Sequence, residues 1–307
     1  MREFELLKHV YEANDLLAER ITIGPGDDMA MVRLADRDLL VAVDQLVAGR
    51  HVTLKSTPLK LVGRKAVTRS LSDIAAMAGK PVASLVAVVL PPGFGSERAT
   101  QLFEAMRTTA AQYDCPLIGG DIAFHDDPAH PLTCTVTVLA EPLPTGPVTR
   151  GGARVGDTVY VTGTLGDSVA PDGGGRHLSF EPRIAEAIEL AETLGGRLHA
   201  MIDISDGLGR DASHIAERSS ATIEIDAACV PCTGDLDWRR AAGDGEDYEL
   251  LFTASGEAPH RLGRGLPVTA IGKVTPRADP AGPLVLFRVG DELIGGEQLG
   301  WEHESPS

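Results

Sequence analysis

Apolar positions along the chain fall into two spacings. Short β-branched runs read as strands, and between them lie longer stretches whose apolar residues recur every three or four positions, as on one face of a helix. In the first half, the apolar residues after Asp27-Asp28 predict a strand reaching Val32, and residues 39–43 a second one ending at Asp44. Thr57-Pro58 opens a helix, with Leu59, Val62 and Ala66 on its apolar face as far as about Met77. Residues 82–90 form a buried strand stopped by Pro91-Pro92-Gly93; Ser96 caps the next helix, which turns Leu102, Phe103, Met106 and Tyr113 inward. Residues 117–121 and 133–140 complete this half.

The second half repeats the alternation. Strands are expected at 157–162, around Asp203, at 222–225, after Glu249, at 268–274 and at 284–289, with a helix carrying Leu208, Ala212, Ile215 and Ala216 inward. Pro171-Asp172-Gly173-Gly174-Gly175 reads as a flexible loop. Between the halves, Glu141-Pro142-Leu143-Pro144-Thr145-Gly146-Pro147 is the best linker. The fold expected is α/β (α+β) in two domains, 1–145 and 146–307.

The chemistry collects at turns. Gly24-Pro25-Gly26-Asp27-Asp28, Asp44, Gly119-Gly120-Asp121, Asp203-Ile204-Ser205-Asp206-Gly207 and Gly243-Asp244-Gly245-Glu246 place acids beside glycines or strand ends. One Ser or Asp at a helix start is ordinary capping, but the repetition is not. Free N–H groups at the helix start after Asp206 attract phosphate, and the acids would repel it unless a divalent cation stood between. Lys65, Arg69 and Asp73 stand four apart on one helix, which fits either an exposed ion-pair row or a place for Asp73 in the acid cluster. The small apolar residues after Asp73 favour the cluster. If several acids converge, their repulsion calls for hard cations, and such a site suits magnesium-dependent phosphoryl transfer from a nucleotide.

Composition narrows this further. With 44 acidic and 28 basic residues among 307, the charge balance argues against a nucleic-acid partner, because such binding rests on Lys and Arg. No apolar run reaches the roughly 20 residues of a membrane span. The amino-terminal MREFELLKHVYEANDLL is amphipathic and charged rather than a signal peptide, so a cytoplasmic location is expected. Cys229 and Cys232 have metal-ligand or redox spacing but lack further ligands, and read as reduced thiols. There is no P-loop, and Met29 stands where a dinucleotide fingerprint needs its third glycine.

Nine ordered blocks carry a resemblance. GDDMAMV, DQLVAGRH, KAVTRSLSDIAAMAGKP, LIGGD, the stretch from Thr149 to Ser168, RHLSFEPRI, IDISDGL, GEDYELLFT and LGWEH resemble the thiamine-monophosphate kinase family of the AIR-synthetase-like (PurM-like) superfamily. The resemblance implies transfer of the ATP γ-phosphoryl group to thiamine monophosphate, directly and in line, with several magnesium ions. It also implies two PurM-like domains, the amino-terminal one pairing across a homodimer with ATP near that interface. By motif, Asp27, Asp28, Asp44, Asp73, Asp121, Asp203 and Asp206 would hold metal. Gly120, Asp121, Arg150 and Ser205 would contact ATP, and His51, Glu246 and Trp301 the thiamine phosphate.

Some positions depart from the family pattern. Ala42-Val43 replace two hydroxyl residues before Asp44, Ser70 replaces Asn, Ile122 replaces Thr, and Asp244 intrudes into Gly-Gly-Glu; the segment 165–176 is short. Other members of the superfamily, or a non-catalytic nucleotide or thiamine-phosphate binder, are the alternatives.

Overall fold

The structure, a computed structural model, describes residues 19–279 and 281–301. The amino-terminal stretch weighed as a signal peptide, and the last two residues of the LGWEH block, lie outside the described residues.

Alternation along the strands decides which side chains meet. In β3 (Arg37–Val47), Leu40, Ala42 and Leu46 are buried while Val43 and Gln45 are exposed, so Asp44 projects on the buried side. This strand joins β1 (Ile21–Ile23), β2 (Ala30–Leu34), β4 (Lys80–Leu90), β5 (Leu117–Phe124) and β6 (Thr133–Glu141) in a six-stranded sheet of order β1-β2-β3-β6-β4-β5. β4 and β5 are parallel, with a helix between them as the crossover that parallel neighbours need, and the other pairs are antiparallel. Among the described residues, this half carries helices α1 (Leu59–Ala76) and α2 (Ser96–Gln112). Val62, Val67, Leu71 and Ile74 of α1 are completely buried.

The expected boundaries shift at two acids and one cap. Asp44 and Asp121 lie within β3 and β5 rather than at strand ends. A carboxylate that projects off the sheet uses none of the ladder's N–H or C=O groups, so pairing runs straight past it. Ser96 is the first helical residue; Gly95, with φ +80°, is the cap, and no side chain bonds there.

The second sheet holds β7 (Thr158–Thr162), β8 (Leu198–Asp203), β9 (Ala221–Asp226), β10 (Leu250–Ala254), β11 (Arg261–Leu262), β12 (Leu266–Pro276), β13 (Val285–Val289) and β14 (Glu292–Gly295). Its order is β14-β13-β9-β12-β7-β10-β8, with β11 paired to β12. Helices α3 (Ile184–Leu194), α4 (Leu208–Arg218) and α5 (Trp238–Gly243) accompany it. Val161, Ile202 and Leu251 belong to the cluster that contains Leu208, Ala212 and Ile215 of α4. Their neighbours Tyr160, Met201, Leu250 and Phe252 belong instead to the cluster that contains Leu71 and Ile74 of α1 and Leu190 of α3. One hydrophobic core therefore passes from the first sheet through α1 to the second, and Asp203, two residues on from Met201, faces α1.

Candidate active site between the two sheets

α1 carries the polar seam of this interface. Lys65, Arg69 and Asp73 share a face by their four-residue spacing, yet they are not an exposed row, since Lys65 is 0% exposed and the Arg69 side chain 14%. Beside Asp73, the Ser72 hydroxyl donates to Asp203 Oδ2 at 2.5 Å. One carboxylate oxygen each of Asp28, Asp73 and Asp203 lies within 4.8 Å of the others. Three acids from a loop, a helix and a strand end thus converge.

Electrostatics record the crowding. Burial, then the charge of Asp28, pushes Asp203 up to about 7. Burial pushes Asp73 well above the usual range, with Asp44, Asp203 and Asp28 adding to it. Asp27 rises to about 6 by burial and the charge of Asp28. Such groups accept a proton or a cation readily. Their donors are all carboxylate oxygens, the type that hard divalent ions prefer, so the residues present fit magnesium.

Two arginines bound the cluster. Arg150 forks onto Asp28, Nη2 2.6 Å from Oδ1 and Nε 3.1 Å from Oδ2, and its backbone N–H donates to Asp27 Oδ1 at 3.0 Å. Arg69 Nε stands 3.2 Å from Asp44 Oδ2. From α4, Arg218 donates to the carbonyls of Pro25 and Gly26 at 2.7 and 3.0 Å, fixing the loop that presents Asp27 and Asp28.

The strand-to-helix turn after β8 differs from expectation. Asp211 Oδ2 accepts from the N–H groups of Ser205, Asp206 and Gly207 at 3.0, 3.1 and 3.1 Å. These donors, and the N–H of Arg210, which Leu299 O accepts at 3.0 Å, are spent within the protein rather than offered to phosphate. Burial and the charges of Asp206 and Asp203 hold Asp211 well above the usual carboxylate range. Gly207, at φ +130°, takes a conformation that side chains rarely adopt.

Two further segments flank this turn. Glu246 N–H donates to Ser205 O at 2.7 Å, Tyr248 N–H to Ile204 O at 2.7 Å, and Trp301 N–H to Asp206 O at 2.9 Å. Trp301 is 55% exposed. Glu246 and Tyr248 are left-handed, φ +57° and +53°, a strain of about 1 kcal/mol or more each for non-glycine residues. The alternating backbone sends successive acids apart. Glu246 meets Lys65 at 2.5 Å, Asp247 meets Arg176 at 2.5 Å, and Glu249 meets Arg183 at 2.5 Å.

His51 comes to the same place as Glu246, for its carbonyl accepts from Lys65 Nζ at 2.9 Å. Gly120 and Asp121 do not join the acids. Asp44 is in register with Val136, Val136 with Val86, and Val86 with Gly120, so three strand spacings, roughly 14 Å, separate Asp44 from β5. Asp121 pairs with the exposed Ala87, which puts it on the opposite sheet face from Asp44. Gly120 has a reason within the sheet, since an added Cβ would stand 1.9 Å from Val86 O.

Lys65, Arg69, Asp211, His177, Asp247 and Arg183 escape the sequence reading. Only the i,i+4 spacing pointed to the first two, and it pointed equally to solvent. The Pro171–Gly175 stretch, expected to be flexible, is tied down. Gly173 N–H donates to Ala170 O and Ala170 N–H to Gly174 O, both at 2.8 Å, and Ser56 Oγ donates to Asp172 O at 3.3 Å. Cys229 and Cys232 are free thiols, as expected.

Residues 26–141 match the family model for AIR synthase related protein, N-terminal domain. The hydrogenase maturation protein HypE in complex with ATP, 17% identical, shares the fold at a TM-score of 0.68 over 97% of this chain and 95% of that one. Fold and acid cluster together define a PurM-like α/β protein. Among curated relatives, a thiamine-monophosphate kinase of Rhodopirellula baltica is 33% identical over 84% of this chain and 85% of its own length. That of Escherichia coli (strain K12) is 32% identical over 98% of each. A structure described as AaThiL complexed with AMPPCP and TMP superposes at a TM-score of 0.78, with 29% identity, over 99% of this chain and 97% of that one. The chain belongs to the thiamine-monophosphate kinase family.

Proposed function

We propose that the chain phosphorylates thiamine monophosphate with ATP, giving thiamine diphosphate and ADP. The observation that carries this reading is the meeting of Asp28, Asp73 and Asp203 between the two sheets, in a chain of this family. The acceptor is a phosphate oxygen and the donor a γ-phosphoryl group, so two anions must approach each other.

Asp28, Asp73 and Asp203 would hold magnesium, with Asp27, Asp44 and Asp206 at the margin of the cluster. Bound there, the ions supply charge neutralisation for donor and acceptor. Arg150 orients Asp28 and, together with Ser205, borders the ATP phosphates. His51 and Glu246 line the thiamine-phosphate subsite, and Trp301 offers an aromatic face to its rings. No residue need be phosphorylated on the way.

Gly120 and Asp121 reach ATP in this scheme only if a second copy brings its β5 edge toward the cluster. Ile118 (63% exposed), Ile122 (49%) and Phe124 (78%), on the edge strand β5, support a homodimer formed along that edge. The reading keeps two domains, 1–145 and 146–307, and is supported by each sheet drawing its strands from one side of that boundary. Among the described residues no helix is long and apolar enough to cross a membrane, which is compatible with a cytoplasmic enzyme.

A coupled assay of ADP release comparing thiamine monophosphate, thiamine and aminoimidazole precursors, with and without magnesium, tests the reading. Turnover that requires both magnesium and thiamine monophosphate is expected. Tight ATP binding without turnover would replace it with the nucleotide-sensor alternative.

A further inference from the structure

Lys65 is the most constrained group that the scheme above leaves without a role. An ammonium has three donors, and each of these meets a different acceptor. Glu246 Oε2 lies 2.5 Å from Nζ, the carbonyl of His51 2.9 Å and His177 Nδ1 2.6 Å. The three acceptors come from three separate stretches: the turn after β3, the 3-10 turn Arg176–Leu178, and the loop before β10.

Each contact has a consequence. His177 Nδ1 lies 2.6 Å from Lys65 Nζ and 3.6 Å from Glu246 Oε2, and its Nε2 faces Gly173 O at 3.3 Å. The glycine-rich loop is thereby linked to α1 through one imidazole. Glu246 has little freedom of its own, because its backbone is held in the left-handed region and its carboxylate also accepts from Tyr248 Oη at 3.2 Å. Burial draws Lys65 down to about 8 against the attraction of Glu246. Burial opposes the charge of Glu246 as well, but His177, Lys65 and Arg69 outweigh it and hold that acid at about 2.

We propose that Lys65 is a positioning residue of the thiamine-phosphate subsite, fixing His51 and Glu246 relative to one another and latching the Gly173–Gly175 loop through His177. The proposal rests on the functional reading given above. Lysine suits the task where arginine does not, since a flat guanidinium cannot aim donors at three diverging acceptors around one point.

The test is a kinetic double-mutant cycle on the full chain with K65M, E246Q and the double variant K65M/E246Q, alongside K65R. K65M is expected to raise the KM for thiamine monophosphate about tenfold or more while the KM for ATP moves less than about twofold. K65R is expected not to restore it. Because Lys65 acts through Glu246, the double variant should be no worse than E246Q. The double variant also removes both buried charges, so the comparison with E246Q stands even if K65M alone fails to fold. Limited proteolysis between residues 171 and 175 should quicken in His177→Ala and in the double variant. A thiamine-phosphate KM that K65M leaves unmoved, effects of K65M and E246Q that multiply, or an equally protected loop would overturn the proposal. Wild-type turnover serves as the control: its absence sinks the functional reading, whereas normal wild-type turnover with an unmoved KM in K65M sinks only the positioning role.

Discussion

Arg150 grips Asp28 with two parallel bonds, Nη2 at 2.6 Å and Nε at 3.1 Å, while the Asp28 side chain is fully shielded from solvent. Removing one member of such a buried pair leaves an uncompensated charge, at a cost of about 3–5 kcal/mol. Arg150→Met should therefore lower the unfolding midpoint sharply in magnesium-free buffer and reduce kcat/KM for ATP by about 100-fold or more. Arg150→Lys should recover only part of either, because a point charge cannot reproduce the fork. Urea denaturation with and without ATP measures both effects.

Asp73→Asn separates a metal ligand from a structural acid by the sign of its effect. The substitution removes one of several like charges, so the magnesium-free protein should become more stable. One pKa unit corresponds to about 1.4 kcal/mol, and a gain of that order is expected. Turnover should meanwhile fall below about a thousandth of wild type. Calorimetric melting and the ADP assay on the same sample decide it: an acid that served only structure would lose stability on substitution.

Neighbouring acids should give opposite pH dependences. Glu246 is depressed from 4.5 to about 2, where His177, Lys65 and Arg69 outweigh the burial that opposes its charge. It contributes stability above pH 4.5 that is lost as pH falls toward 2. Asp247 is raised from 3.8 to about 6 by burial, against hydrogen bonds from Ser168, Gly166 and Arg176. Its contribution is present below pH 3.8 and declines as pH rises through 6. Glu246→Gln should flatten the acid limb of the stability curve, and Asp247→Asn the decline between pH 3.8 and 6. Denaturant midpoints measured from pH 2.5 to 7 check both.

Phe124→Glu tests the assembly. Phe124 is 78% exposed on an edge strand, so the change should alter the folding stability of one chain by less than about 0.5 kcal/mol. In a dimer joined along that edge the new charge would be buried. Sedimentation should show a shift from dimer to monomer, together with loss of ATP turnover. An unchanged mass would place the interface elsewhere.

Much of this was legible in the sequence, and the limits have physical causes. Asp28 and Asp203 could be picked out because acids recur at glycine-rich turns and strand ends, and Asp73 because small apolar residues follow it on its helix. The outer face of Asp121 could not, since it depends on strand order and register, which the local pattern does not encode. Lys65 looked like half of a solvent-exposed pair, and only the packing of α1 against both sheets buries it. Asp211 looked like one more surface acid on a helix, yet it accepts from the N–H groups of the turn itself, Ser205 to Gly207.

The passage of hydrophobic packing from Leu71 and Ile74 to Met201 and Phe252 has one more consequence. Snipping the backbone at the proline-rich connector would not yield two independent pieces, because each would carry an unroofed oily surface shaped for the other. The molecule should melt as one calorimetric unit, and inheritance can shuffle its halves only where the recipient brings a matching α1.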